Sequence, residues 1–408
     1  MDRRNNPFAP GAGTPPPELA GREQILEDAT IALARVKTGR SAKSQMLLGL
    51  RGVGKTVLLN EIAKIAEGEG YRTITLESPE NERLADMLVH PLRSVLNRLS
   101  TIAASKALAM KALRGLQSFA STFKVKLSEV EISIAEPGTA DSGRLDTDLP
   151  ELLLLVADAA QAADTPVTIL LDEVQYLTSE DLSALIVSVH KIGQRQSPLI
   201  VFGAGLPQLA AMAGEAKSYA ERLFDYPPVG PLEAADAERA IREPIRSEGA
   251  DIEPEALSRI VNQTQGYPYF LQEWGSHTWD AAPTSPITEA DVVRAGEEAL
   301  RTLDQGFFRV RMDRMTPREK EYMRAMAELG PGTHRSGEVA DLLGVKVTTI
   351  SPLRSGLIVK GMIYSPQHGD TAFTVPMFDS FMKRSMPDWV PKGLRRRRED
   401  RGSSGSAE

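Results

Sequence analysis

Gly49, Gly52 and Gly54, followed by Lys55 and Thr56, fall at the spacing G-x-x-x-x-G-K-[ST], and that spacing has a physical reason. Glycines let successive backbone N–H groups close around an anion, the lysine after them reaches phosphate oxygens, and the adjoining hydroxyl ligates a divalent cation. Gly49, Arg51, Gly52, Val53, Gly54, Lys55, Thr56 and Val57 are therefore the candidate nucleotide-binding residues, and Lys55 is also a catalytic candidate because its charge would meet the β and γ phosphates. Farther along, Leu170-Leu171-Asp172-Glu173 ends an apolar run on two carboxylates. Asp172, with Thr56, is the expected Mg²⁺ site, and Glu173 is the group expected to polarise a water attacking the γ-phosphate. ATP and Mg²⁺ are the expected cofactors, and ATP hydrolysis is the expected reaction.

These residues need a strand before the glycines and a helix after them. Gln45 to Leu48 reads as a buried strand, and Val57, Leu58, Leu59, Ile62 and Ile65 mark one face of a helix ending near Gly68. Strands are expected at Arg72–Leu76, Val167–Leu171 and Leu199–Phe202, with helices between them, so the sheet should be mostly parallel. About ninety residues separate the second and third of these strands, more than a crossover needs, which predicts an insertion at about 80–148. Within it Leu84, Leu88, Leu92, Val95 and Leu99 form a helical stripe. Phe123, Val125 and Leu127, then Val130, Ile132 and Ile134, alternate like a hairpin.

The expected fold is a P-loop NTPase α/β sheet domain over residues 18–232, a helical lid over 233–306, and a winged helix-turn-helix domain over 307–386. Residues 1–17, rich in Pro and Gly, are expected to be a disordered tail, and 387–408 a basic flexible one. Thr316-Pro317-Arg318-Glu319 is a capped helix start, and Ser336–Leu343 reads as a second helix. A third helix is expected from Thr348 or Thr349, with Pro352 in its first turn. Two strands flanking Gln367-His368-Gly369-Asp370 would complete the wing.

The chain has 408 residues, no cysteine and a net charge of −7, so neither a disulfide framework nor a thiolate metal site is expected. Five scattered histidines show no ligand spacing, and no structural metal is expected. No apolar run reaches membrane-spanning length and no signal-peptide core begins the chain, so the protein is expected to be cytoplasmic, with no membrane partner. Charge is uneven: from Phe307 onward there are 18 Lys and Arg against 12 Asp and Glu, while the rest of the chain is acidic. Such asymmetry points to an acidic partner for the C-terminal part.

Together these residues resemble the AAA+ and STAND P-loop ATPases, and among them archaeal-type ATPases related to origin-recognition and replication-initiator proteins. The resemblance covers about residues 18–385. Leu19-Ala20-Gly21-Arg22-Glu23 is similar to the segment by which STAND proteins frame adenine, which implies nucleotide contact for Arg22, although Ile25 stands where the pattern has Glu. Read without the family, Arg22 is a surface arginine at a helix start. Gly266-Tyr267-Pro268 resembles the Gly-x-Pro element of the lid, implying that Pro268 touches the nucleotide. Arg222 occupies the region of an arginine finger, which implies a catalytic role on the γ-phosphate of a neighbouring copy in a homo-oligomer formed through the ATP interface. Gly203-Ala204-Gly205, read as the loop after the fourth strand, lacks the polar sensor that related ATPases often have there, which implies slow or partner-dependent hydrolysis.

Two functional readings follow. In the first the chain is an ATP-dependent switch whose winged helix binds double-stranded DNA, with Lys346, Thr348, Thr349, Ser351 and Arg354 reaching phosphates or base edges. In the second it is a STAND-type signalling or scaffold ATPase whose C-terminal domain docks on a protein. A metabolic kinase is disfavoured, because no acceptor-substrate motif is present.

Overall fold

The structure is a computed structural model and describes residues 1–11, 13–79, 82–125, 139–367 and 369–392. Helix α1 (Glu23–Lys37) leads into β1 (Ser44–Leu48), the glycine loop, and α2 (Lys55–Gly68). There follow β2 (Arg72–Glu77), α3 (Leu84–Ser100), α4 (Lys106–Thr122), α5 (Leu145–Ala162) and β3 (Val167–Asp172). Next come α6 (Ser179–Gln194), β4 (Leu199–Gly205), α7 (Leu209–Ala216), α8 (Ala220–Leu223) and β5 (Phe224–Asp225). The five strands form one parallel sheet in the order β2-β3-β4-β1-β5.

The central strands β3 and β4 are covered on both faces and are buried throughout, which is why they read as apolar runs, whereas β2 at the edge alternates. Ile200, Phe202 and Ala204 of β4 pack with Leu33 of α1 and Leu58 and Ile62 of α2, while Leu199 and Val201 belong to the opposite core with α3, α5 and α6. The insertion is part of that second core: Leu84, Leu88, Leu92 and Leu99 are buried with Phe119 of α4 and Leu149, Leu152 and Leu153 of α5. Most of the expected hairpin from Phe123 to Ile134 lies outside the described residues.

The lid consists of α9 (Ala234–Ser247), α10 (Pro254–Thr264), α11 (Pro268–Ala281) and α12 (Glu289–Thr302). A π-helical turn, Leu303–Phe308, and α13 (Arg309–Asp313) continue from α12 without a break, so the boundary expected at 306/307 falls inside a continuous helical run. The last part comprises α14 (Pro317–Leu329), β6 (His334–Arg335), α15 (Ser336–Leu343), α16 (Val347–Val359), β7 (Ile363–Tyr364), β8 (Asp370–Phe373) and α17 (Phe378–Ser385). Its three short strands pair antiparallel in the order β6-β8-β7 beside the three helices α14, α15 and α16, which is a winged helix-turn-helix arrangement. Thr316 and Glu319 form the expected capping box. Helix α16 starts at Val347, one or two residues earlier than expected, which places Pro352 in the second turn and not the first.

Lid and winged helix share an aromatic core. Phe308 of the π turn stacks on Phe381 at 5.2 Å and meets Phe270 edge-on at 6.1 Å. Such pairs add to the burial of their own area and hold the two parts against each other.

Both ends of the chain depart from expectation. Residues 1–17 were expected to be a free tail, yet the described part packs on the lid: Phe8 is 4% exposed and sits over Gly275, where a Cβ would strike its ring. Arg3 Nε donates to Asp280 at 2.9 Å, and Trp279 Nε1 donates to the Asp2 carbonyl at 2.9 Å. Burying one Phe contributes roughly 1.5–3 kcal/mol, which adds to these hydrogen bonds in opposing the entropy of ordering the segment, and local composition does not reveal either. At the other end Trp389 lies under the Arg324 guanidinium at 4.9 Å and Lys392 pairs with Glu321 at 2.9 Å, so residues 387–392 also pack.

Candidate nucleotide site

The cavity at the end of β1 holds about 350 Å³, within the range of small-ligand sites. Arg51 to Val57 line it, together with Arg22, Glu173 and Pro268. Gly49 lies behind the wall, packed so closely that a Cβ there would collide with the Val229 carbonyl oxygen. Gly54, the residue before α2, has φ 93°, a conformation that a side chain would strain.

Lys55 is buried at the first position of α2, and its ammonium donates to the Leu50 carbonyl at 2.9 Å. Burial lowers its pKa, opposed by the charges of Glu173 and Asp172. Asp172 is buried too, and burial raises its pKa against the hydrogen bonds from Thr56 and from the Glu173 N–H. Thr56 Oγ1 donates directly to Asp172 Oδ2, so the hydroxyl and the carboxylate expected to share Mg²⁺ are in contact. Two hard oxygen donors at the mouth of an anion-binding loop fit that ion.

Glu173 adopts a left-handed backbone conformation (φ 54°, ψ 37°), uncommon for a residue with a Cβ and costly enough to persist only where the surroundings enforce it. Its N–H donates to Asp172 Oδ1 at 2.8 Å. Gln175, which sequence reasoning missed, donates through Nε2 to Glu173 Oε2 and accepts the Leu206 N–H at Oε1 over 3.0 Å. The end of β4 explains why: Gly203, Ala204 and Gly205 belong to the buried strand and not to a loop. A Cβ on Gly203 would strike Met46, and one on Gly205 would come within 2.8 Å of Gln175 Oε1. The strand end therefore carries no polar side chain of its own and receives one from Gln175. The available signal was a polar residue two positions after the acidic pair.

The lid grips the glycine loop from the other side. Tyr267 Oη donates to the Arg51 carbonyl at 2.6 Å, and the Tyr269 N–H donates to the Gly52 carbonyl at 3.1 Å. Pro268, between them, is the first residue of α11 and lines the cavity. Arg22 is buried and lines it as well, but its guanidinium donates to the Val53 carbonyl at 3.4 Å and to the Gly230 carbonyl, bracing the loop from behind. The N-terminal segment crosses the mouth: Gly13 stands where a Cβ would be 3.4 Å from Thr56 Cγ2.

Other candidates lie apart from the cavity. Arg222, on α8, is exposed and does not line it. Lys346, Thr348, Thr349 and Ser351 are exposed around the start of α16. Arg354 does not join them as a free contact: its guanidinium donates to Thr371 Oγ1 at 2.9 Å, Ser365 Oγ at 2.7 Å and the Asp370 carbonyl at 2.7 Å. It fastens α16 to the wing strands, because three acceptors of the same domain surround it. His368, in the expected turn of the wing, lies outside the described residues. Among the described residues no group of three or more His, Asp or Glu could hold a metal ion by itself, and no single helix is long and apolar enough to cross a membrane.

A parallel sheet with a glycine loop, its following helix and an acidic strand end defines a P-loop NTPase. Residues 18–202 match the AAA ATPase domain family, and residues 305–382 match a domain of unknown function. The chain is 22% identical over 346 residues to an uncharacterized HTH-type transcriptional regulator of Methanocaldococcus jannaschii, covering 82% of this chain and 80% of that protein. Among solved structures, a Walker-type ATPase of Pyrococcus abyssi superposes with a TM-score of 0.56 at 17% identity, covering 90% of this chain and 96% of that one. That likeness shows the shared fold.

Proposed function

We propose that this protein is an ATP-dependent switch whose winged helix binds double-stranded DNA. The observation that carries the switch is the contact of one cavity with three parts of the chain. The glycine loop forms its floor, Pro268 and Tyr269 of the lid one wall, and Phe307 and Arg311, which lead into the winged helix, another. A ligand there touches every part whose relative orientation it would set.

In the chemistry of this site the loop N–H groups and Lys55 hold the β and γ phosphates, and Thr56 and Asp172 hold Mg²⁺. The ion, when bound, offsets phosphate charge. Glu173 orients the attacking water and takes its proton, and Gln175 keeps that carboxylate in place. Arg22 and Pro268 border the rest of the nucleotide. Arg222, exposed on α8, is assigned to the cavity of a second copy in a homo-oligomer; mixing Arg222→Ala with Lys55→Ala protein should then recover activity that neither has alone. Turnover is slow or partner-stimulated.

The name of the Methanocaldococcus relative supports the DNA reading, as do the exposed Lys346, Thr348, Thr349 and Ser351. A protein-docking role is the second reading, favoured by the exposed Val345 and Val347 beside them and by Arg354 being engaged within its own domain. Duplex binding across a salt series, with an ATP analogue, ADP or neither, separates the two. Salt-dependent affinity that changes with nucleotide supports the switch on DNA. No duplex affinity at low salt under any of the three conditions removes it in favour of protein docking.

A further inference from the structure

Strand β2 is one edge of the parallel sheet, and its outer side pairs with no strand among the described residues. Backbone groups of successive residues in a strand point to opposite edges. The Arg72 N–H donates to the Pro166 carbonyl at 2.8 Å and the Ser78 N–H to the Asp172 carbonyl at 3.0 Å, both on the β3 side. The N–H and C=O groups of Thr73 and Thr75 therefore face outward. Open edges are commonly blunted by a proline, a bulge or an inward-pointing charge, or are kept very short. In contrast, β2 has six residues in unbroken register with β3, and Thr73, Ile74 and Thr75 at its centre favour pairing.

Beside this edge lies a groove of about 680 Å³, within the range of ligand sites. Pro91, Val95 and Arg98 of α3 form one wall and Glu67 of α2 borders the other. Ile74 is buried in the same core as Val95, so Arg72, two residues before it, projects to the α3 side where Arg98 also lines the groove. Both arginines are exposed, and neither pairs with a carboxylate among the described residues. On the opposite side Thr73 Oγ1 donates to Glu67 Oε1 at 2.6 Å, so the one carboxylate lining the groove is engaged away from them.

Alternating N–H and C=O groups along a groove are matched by another backbone in extended form, whereas phosphate only accepts hydrogen bonds and would satisfy half of them. Two cations on the α3 side select carboxylates among the side chains that face them. We propose that the outer edge of β2 is a docking site for an extended, acidic segment of a partner protein, which adds a strand to the sheet and sets its carboxylates against Arg72 and Arg98. Strands β3 and β4 separate β2 from β1 and the glycine loop, so this site does not depend on the nucleotide reading.

The test uses the full chain and a labelled synthetic peptide of alternating glutamate and valine, with a lysine–valine peptide as its counterpart. The glutamate peptide should bind, by fluorescence anisotropy, and slow amide exchange at Thr73 and Thr75. Exchange at Arg72 and Ile74, whose N–H groups face β3, should change little. Reversing both charges, Arg72→Glu with Arg98→Glu, should cost about tenfold or more in affinity for the glutamate peptide and turn the preference to the lysine peptide. Thr75→Pro removes an outward N–H that β3 does not use, so the fold should persist while affinity falls by about tenfold or more. The charge reversal, made on exposed side chains, decides the matter if Thr75→Pro does not fold. No binding of the glutamate peptide, equal binding of both peptides, or binding that leaves Thr73 and Thr75 unprotected overturns the proposal. Slow exchange at these two residues before peptide is added also overturns it, because another part of the chain then covers the edge, or a second copy if dilution speeds the exchange. Displacement of the peptide by a single-stranded oligonucleotide at matched ionic strength would give the arginines to nucleic acid and overturn it too.

Discussion

The backbone N–H of Arg51 donates to the carbonyl oxygen of Thr374 at 3.3 Å, joining the glycine loop directly to the winged-helix domain. Beside this bond the Arg51 guanidinium meets the Tyr176 hydroxyl, and Gly361 packs against both at φ 62°. A Cβ at Gly361 would lie 3.1 Å from the Tyr176 oxygen in a left-handed backbone conformation that costs about 1–2 kcal/mol. Gly361→Ala should therefore lower the unfolding free energy by about that much, read as a lower urea midpoint at unchanged m, and speed amide exchange at Arg51. A wild-type midpoint with unchanged exchange would show that this junction is slack.

Glu173→Gln keeps the shape of the side chain and removes its basicity. Nucleotide affinity should stay near wild type while phosphate release falls by about 10²–10⁴-fold. Lys55→Ala should instead lose affinity. Wild-type turnover in Glu173→Gln would transfer the water-orienting role to another group.

Gln175→Leu removes the donor to Glu173 and leaves the buried Leu206 N–H unpaired, which costs roughly 1–3 kcal/mol in stability. Phosphate release should fall with little change in nucleotide affinity. Equal loss of both would make Gln175 a packing residue only.

Lys346 and Arg354 should respond differently, although both read as DNA contacts in the sequence. Lys346→Ala should reduce the slope of log duplex affinity against log salt by about one unit and leave thermal stability unchanged. Arg354→Ala breaks three bonds within the domain and should lower the melting temperature first. Thermal unfolding and salt titration on both variants check this.

What was legible in the sequence was what local pattern controls. The loop glycines, Lys55, Thr56, Asp172 and Glu173 announce themselves because their chemistry requires fixed spacing. Strands β3 and β4 do so because burial on both faces removes most polar residues, and β2 at the edge does so by its β-branched residues, Thr73, Ile74 and Thr75. Gln175, Arg311 and the role of Phe8 depended on partners distant in the chain, and no periodicity reports that a Pro- and Gly-rich segment will find the notch at Gly275. The end of β4 was misjudged for a related reason: Gly203 and Gly205 look like a loop, yet they are glycines because Met46 and Gln175 occupy the space of their side chains. Strands β5 and β6, two residues each, are too short to show an alternation.

The claim at the centre is that occupancy of one cavity sets the orientation of the winged helix. Because the chain has no cysteine, spin labels can be placed cleanly on cysteines introduced at the exposed Glu180 of α6 and Ser355 of α16. Electron–electron distance measurements on this doubly labelled protein, saturated with an ATP analogue or with ADP, should give two different distance distributions. Superimposable distributions, with binding of each nucleotide verified on the same sample, would contradict the switch.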